Sequence, residues 1–192
     1  MIKAKPQLYF KTDTKWRAWL QDNYENSNGI YLILYKVETK IPSMRWEEAV
    51  KVALCYGWID STVKSLGGGK RQQYFCKRKP KSVWSAVNKK YIKELSSKNL
   101  IHESGWKSIN IAKENGSWVA LDDVENLVIP PELQMEFDKN STAFTNYQNF
   151  APSYRKGYLY WLNQAKRETT RQKRVTEIIS LCEKNIKTRG TW

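Results

Sequence analysis

Apolar positions recur with a helical period over several stretches of this chain and run unbroken over one. Residues 12–24 set Trp16, Trp19, Leu20 and Tyr24 at i, i+3, i+4 and i+8, with Asp13 or Thr14 placed to cap them, which predicts a first helix. A turn at Asn26-Ser27-Asn28-Gly29 leads into Ile30-Tyr31-Leu32-Ile33-Leu34-Tyr35. That run does not alternate, so it predicts a strand covered on both faces. Trp46, Ala49, Val50, Ala53 and Leu54 return to the helical period, with Glu47 and Glu48 where the dipole of the first turn favours them, and Gly57 ends the helix.

Two β-prone runs, Trp58 to Lys64 and Arg71 to Lys77, flank Gly67-Gly68-Gly69 and predict a hairpin. With the Ile30 strand they make a small sheet of about three strands, antiparallel or mixed. After Pro80 the spacing of Trp84, Val87, Tyr91 and Leu95 predicts a third helix capped by Ser82. A fourth is expected over residues 106–115, closed by Gly116. The acidic stretch Asp122, Asp123, Glu125 and the following Ile129-Pro130-Pro131 mark a junction. Beyond it the pattern is helical throughout, over residues 132–140, 143–150, from Ser153 onward, and 168–185. In the last two, Tyr154, Tyr158, Trp161, Leu162 and Ala165, then Val175, Ile178, Ile179, Cys182 and Ile186, are the expected inward positions. The expected fold class is therefore α+β: a small sheet with covering helices over residues 1–125, followed by a helical C-terminal part over residues 126–192.

Composition narrows the class. Nine Trp and eleven Tyr among 192 residues argue for a packed core and against wholesale disorder. The longest apolar run has six residues, against roughly twenty for a bilayer span. No apolar stretch follows the charges of Met1 to Pro6, so a cytoplasmic protein without a secretory leader or a membrane span is expected. Three scattered cysteines and one histidine, His102, point to neither a disulfide framework nor a metal centre, and no cofactor signature stands out.

The net charge of +14 is unevenly spread. Residues 64–93 hold ten basic side chains and no acidic one, and residues 155–189 hold ten against Glu168, Glu177 and Glu183. The remainder of the chain is slightly acidic. Two such segments either concentrate phosphates and other polyanions or serve as solvated faces.

Several blocks carry a resemblance. Leu54-Cys55-Tyr56-Gly57-Trp58-Ile59-Asp60-Ser61 is similar to the A-L-x-[FY]-G-W-I-D-S signature of the YdeI/OmpD-associated (bacteriocin-protection) family. Arg78-Lys79-Pro80-Lys81-Ser82-Val83-Trp84-Ser85 with Asn88, then Asn115-Gly116-Ser117-Trp118, then Ala165-Lys166-Arg167-Glu168-Thr169 with Arg171 and Arg174, follow in that family's order, from about Trp16 to Leu181. Where the family often has Gly-Arg-Met this chain has Asn99-Leu100-Ile101, so any role of an arginine there is absent. The resemblance implies a helical C-terminal part after Pro130; it implies no activity and no catalytic residue.

Among candidate groups, Asp60 is the one carboxylate between Glu48 and Glu94. It is either a weak candidate base, with Arg78 and Asn88 around it, or the ion-pair partner of Arg78 or another hairpin cation. No G-x-S-x-G surrounds Ser61, Ser82 or Ser85, His102 stands alone, and Lys70 is followed by Arg71 rather than by the Ser or Thr of a phosphate loop. Cys55 and Cys76 sit at apolar runs, as inert buried thiols do. Arg78, Lys79 and Ser82, ahead of the expected third helix, form the best anion site, with Asn88, Arg171 and Arg174 as further ligand-binding candidates. For Trp84 a core position is preferred to a stacking face. Three readings follow: a binding protein for a phosphate-containing ligand, a nucleic acid or a protein partner; an enzyme using Asp60, for which no catalytic constellation is recognisable; and a stress or envelope-tolerance factor acting through protein contacts.

Overall fold

The computed structural model describes residues 5–189. Met1 to Ala4, on which the leader expectation partly rests, lie outside the described residues. The chain divides into two compact units, Met1–Val119 and Ala120–Trp192. Among the described residues no helix is long and apolar enough to cross a membrane.

The first unit holds a mixed sheet of four strands, β1 (Gln7–Tyr9), β2 (Ile30–Tyr35), β3 (Trp58–Gly67) and β4 (Lys70–Lys77), in the order β1-β2-β4-β3. The expected small sheet is present, and β1 adds a fourth strand to the about three read from the sequence. β1 runs parallel to β2 with Leu8 opposite Leu32, and three residues with one inward side chain leave no alternation to read. β2 lies between β1 and β4, with Ile30, Leu32 and Leu34 on the core face; on the other face Ile33 is buried but Tyr31 and Tyr35 are half-buried, so the expected cover on both faces is only partial. The hairpin turns at Gly67, Gly68 and Gly69, all at positive φ.

Helices α1 (Asp13–Asn23), α2 (Trp46–Cys55), α3 (Ala86–Ser97) and α4 (Glu103–Glu114) complete the unit. Thr12, not Asp13 or Thr14, caps α1, its Oγ1 accepting from Lys15 N at 3.3 Å; Asp13 falls in the first turn, where the dipole favours a carboxylate. The core joins Ile30, Leu32, Leu34 and Phe75 of the sheet to Trp16, Leu20, Val50, Leu54, Trp58 and Trp84. Buried indoles need acceptors: Trp16 Nε1 donates to Ala49 O at 3.1 Å and Trp58 Nε1 to Tyr24 O at 3.2 Å.

Two helix starts differ from expectation. α3 begins at Ala86, capped by Ser85, whose side chain accepts from Asn88 N; Ser82 caps nothing and residues 78–85 form a loop. The expected stripe contained one coincidence, since Trp84 enters the core before the helix begins, against Trp118, while Val87 is exposed. α4 begins at Glu103 rather than residue 106, and Trp106 is exposed. Gly105, which in sequence looks like a breaker, lies in its first turn. There it meets the end of α2, and a Cβ on it would stand 2.3 Å from Cys55 O. Gly57, at φ +73°, is held in the same way, its would-be Cβ 2.8 Å from Ser104 O. The helix is fixed there by His102 N, which donates to Cys55 O at 2.9 Å.

The second unit is helical: α5 (Asp122–Glu125), α6 (Pro131–Lys139), α7 (Ser141–Asn149), α8 (Pro152–Asn163) and α9 (Glu168–Glu183). Pro131 and Pro152 occupy first-turn positions, where a missing N–H costs no helical bond. Val124, Leu133, Phe137, Tyr147, Leu159, Leu162, Val175, Ile178 and Cys182 are among the residues of its core. Ile186 is not inward as expected. α9 ends at Glu183 and Asn185 turns to φ +55°, which takes residue 186 out of the stripe. Tyr154 is likewise exposed.

Two substitutions test these contacts in urea unfolding. Gly105→Ala should cost about 1–3 kcal/mol, because the atom it meets is a backbone carbonyl that cannot swing aside. Gly157→Ala, inside α8 with nothing within 4 Å of the new methyl, should instead stabilise by about 0.5–1 kcal/mol.

Candidate functional site

Asp60 lies on β3 and its carboxylate is held by neutral donors. Oδ2 accepts from Trp46 Nε1 at 2.8 Å and from Gln73 Nε2 at 2.9 Å. Gln73 is itself buried and also donates to Ser61 O at 3.0 Å. Among the described residues Asp60 makes no ion pair, so the expected partnership with Arg78 is not a direct contact.

Arg78 is enclosed by its own loop. Its guanidinium stacks over Trp84, 3.7 Å from the ring centroid, and Nη2 donates to Val83 O at 2.6 Å. Its backbone N–H donates to Gly57 O at 2.9 Å. Nε and Nη1 are buried without a hydrogen-bond partner. Burial draws its pKa down to about 10 against the opposing charge of Asp60, so the group remains a cation at neutral pH. Lys79 is exposed, and Ser82 is half-buried in a turn, its N–H donating to Lys79 O at 2.9 Å. With no helix starting at Ser82, the free N–H groups expected behind Arg78 and Lys79 are not there. Asn88 belongs instead to the first turn of α3. Trp84 is buried, as preferred.

Arg171 and Arg174 lie in the second unit and are engaged within it. Arg171 pairs with Glu132 of α6 and donates to Leu162 O at 3.4 Å. Arg174 donates to Trp161 O and stacks over that ring at 4.8 Å. The three cysteines are free thiols. Burial raises the pKa of Cys55, with Arg17 opposing it from 3.2 Å, and pushes Cys182 up to about 12. No cluster of His, Cys, Asp or Glu among the described residues could hold a metal ion.

What the structure brings together is a cleft of about 280 Å³ in the first unit, at the Gly57 corner. Tyr24, Tyr56 and Trp58 wall it, Lys77 and Arg78 enter from the end of β4, and Ser104, Lys107 and Ser108 from α4. The aromatic wall is continuous with His102, whose ring stacks on Tyr56 at 5.0 Å and meets Tyr24 at 4.9 Å. His102 also caps α4: Nδ1 accepts from Ser104 N at 3.2 Å and lies 2.9 Å from Ser104 Oγ. Ser104 Oγ in turn donates to Tyr56 O at 3.1 Å. Lys77 Nζ donates to Glu25 O. Among the described residues no hydrogen bond or ion pair engages the Lys107 ammonium or the Ser108 hydroxyl. Neither Asp60 nor Asn88 lines the cleft. Sequence reasoning reached Arg78 and Gly57 but missed Ser104, Lys107 and Ser108; their spacing of i, i+3 and i+4 puts them on one helical face.

Residues 8–108 match the family model described as a domain of unknown function, DUF8412. Residues 126–185 match the one described as Bacteriocin-protection, YdeI or OmpD-Associated. The chain belongs to the DUF8412 family, and within its second unit residues 126–185 are similar to the YdeI/OmpD-associated family. The resemblance read from the sequence is thus met in the C-terminal part, which includes Arg171 and Arg174. The blocks around Gly57 and Arg78, and the cleft residues as far as Ser108, fall in the DUF8412 part. No curated protein and no solved structure matches the chain.

The enclosure of Arg78 predicts a contrast between neighbours. Arg78→Ala should lower stability by about 1–3 kcal/mol through the lost contacts to Trp84 and Val83 O. Lys79→Ala, exposed, should stay within about 0.5 kcal/mol, read by thermal or urea unfolding.

Proposed function

We propose that this DUF8412 chain is a binding protein whose cleft at Gly57 takes a small anion with a single flat ring, an aryl phosphate or aryl carboxylate. The observation that carries this reading is the convergence of Tyr24 and Tyr56, with Trp58 fully buried behind them, on the ammonium groups of Lys77 and Lys107. An aromatic wall favours a planar apolar body. The cations of the rim outnumber its one carboxylate, Glu25, and favour an anionic end, which the free ammonium and hydroxyl on α4 can reach without breaking an existing contact. The volume lies just below the roughly 300–1,000 Å³ of drug-sized pockets, which sets the ligand at about one ring. Binding is favoured over chemistry at Asp60, because that carboxylate is occupied by Trp46 and Gln73 and stands outside the cleft.

Calorimetry with phenyl phosphate and benzoate, against inorganic phosphate and phenol, tests it. Both aryl anions should bind, and each control should bind more weakly for want of one half of the interaction. A Lys107→Ala, Ser108→Ala double variant should lose roughly ten-fold to a hundred-fold in affinity, the span of hydrogen bonds to a charged group. Absence of binding by either aryl anion, or an unchanged affinity in the variant, overturns the proposal.

A further inference from the structure

The helices of the first unit gather on one face of its sheet, where Ile30, Leu32, Leu34 and Phe75 enter the core. Ile33 belongs to the other face and lies outside that core. The strand register settles what else faces that way. Tyr31 pairs with Tyr74 and Tyr35 with Lys70 across β2 and β4, Lys64 pairs with Gln72 across β3 and β4, and Tyr9 of β1 stands beside Ile33. Four tyrosines therefore share the outward face. Tyr31 and Tyr74 form one ring pair, with centroids 5.2 Å apart, and Tyr9 and Tyr35 form another at 5.4 Å. The two pairs flank Ile33, four residues apart along β2, or about 13 Å at the rise of a strand. Tyr9 is exposed and the other three rings are half-buried. Lys5 Nζ sits 3.9 Å from the Tyr74 centroid, so a cation reaches the face of that ring. The outward positions of the four strands include Lys64 and Lys70 and not one carboxylate.

We propose that this face binds single-stranded nucleic acid. Aromatic rings at two separated points offer stacking for unpaired bases, and lysines at the hairpin end and at Lys5 offer charge to the phosphates between them. A duplex hides its base faces and gains nothing from the tyrosines. The outward positions carry cations and no carboxylate, so a polyanion meets no repulsion there, which favours a nucleic-acid strand over a protein surface of mixed charge. This surface is separate from the Gly57 cleft and does not depend on the ligand proposed for it.

The test is fluorescence anisotropy of the full chain with labelled oligo(dT) and with a duplex of the same length. Oligo(dT) should bind more tightly than the duplex, and Tyr35→Leu and Tyr74→Leu should each weaken it roughly ten-fold. A Lys64→Ala, Lys70→Ala variant should reduce the slope of log affinity on log salt by about 1.4, the share of two phosphate contacts on a single strand. Photocrosslinking with a 5-bromouracil-substituted strand should map to peptides of β2 and β4; this readout and the lysine variant serve if a tyrosine variant fails to fold. The proposal is overturned if oligo(dT) does not bind, if the duplex binds as tightly, or if folded tyrosine variants bind like wild type. Crosslinks confined to other segments, or displacement of the strand by phenyl phosphate, overturn it as well.

Discussion

The carbonyl of Cys55 is where the first unit is joined. It lies at the end of α2, among the last carbonyls, which have no partner within the helix, and it accepts from His102 N at 2.9 Å. For that bond to form, the backbone of α4 must come closer to α2 than side chains allow, so residue 105 has no Cβ. Two residues past the end of α2 the same demand falls on Gly57, against Ser104 O. The two glycines serve one contact between bare backbones. The cleft follows from it: α4 brings Ser104, Lys107 and Ser108 to the corner where β3 leaves α2 and where Arg78 N returns to Gly57 O. A larger residue at either position would strain that contact, and with it the packing of α4 on α2 and the walls of the cleft.

Features governed by near neighbours in sequence were legible; those set by distant partners were not. The span of β2, the α2 helix, the hairpin with its three glycines and the helical second part each rest on local period or turn chemistry, and each appears in the structure. β1 exists only because β2 offers it an edge, and three residues cannot announce that. α4 starts early because its glycine is there for packing, while in sequence a glycine reads as a stop. Ser82 and Ser85 are equally good caps by type, and the choice fell to Trp84, which is buried against Trp118. The site divides in the same way. Arg78 and Gly57 stand within dense motifs, but Lys107 and Ser108 reach the cleft only through the long-range contact at Cys55.

The same reasoning sorts the positive charge. A cation beside an aromatic face in sequence does not reveal whether it will turn toward that face or toward a ligand. Arg78 turns to Trp84, while Arg174 and Arg189 both lie over Trp161, Arg189 at 3.4 Å and paired to Glu177 as well. Arg171 is joined to Glu132. The arginines singled out by clustering are thus committed within their own units. Planar guanidinium stacks well on indole and loses little hydration in doing so. Lysines such as Lys64, Lys79 and Lys107 remain toward solvent. Net charge therefore overstates what is available to a partner, and the available part is carried by ammonium groups.

How those ammonium groups are distributed between the two sides of the sheet depends on one extra residue. Asp60 pairs with Phe75 and Val63 with Gln73, so three steps on β3 answer two on β4, a bulge between Asp60 and Val63. Side chains alternate along a strand, and the inserted residue inverts the alternation beyond it. Trp58 and Asp60 stand on the core side, where Asp60 meets Trp46 and Gln73. Without the bulge, residue 64 would share their side of the sheet. With it, Val63 takes the core side and Lys64 joins Tyr31, Tyr35 and Tyr74 on the other. The same irregularity thus sets Lys64 beside the tyrosines, while the exposed Val63 takes the alternate side.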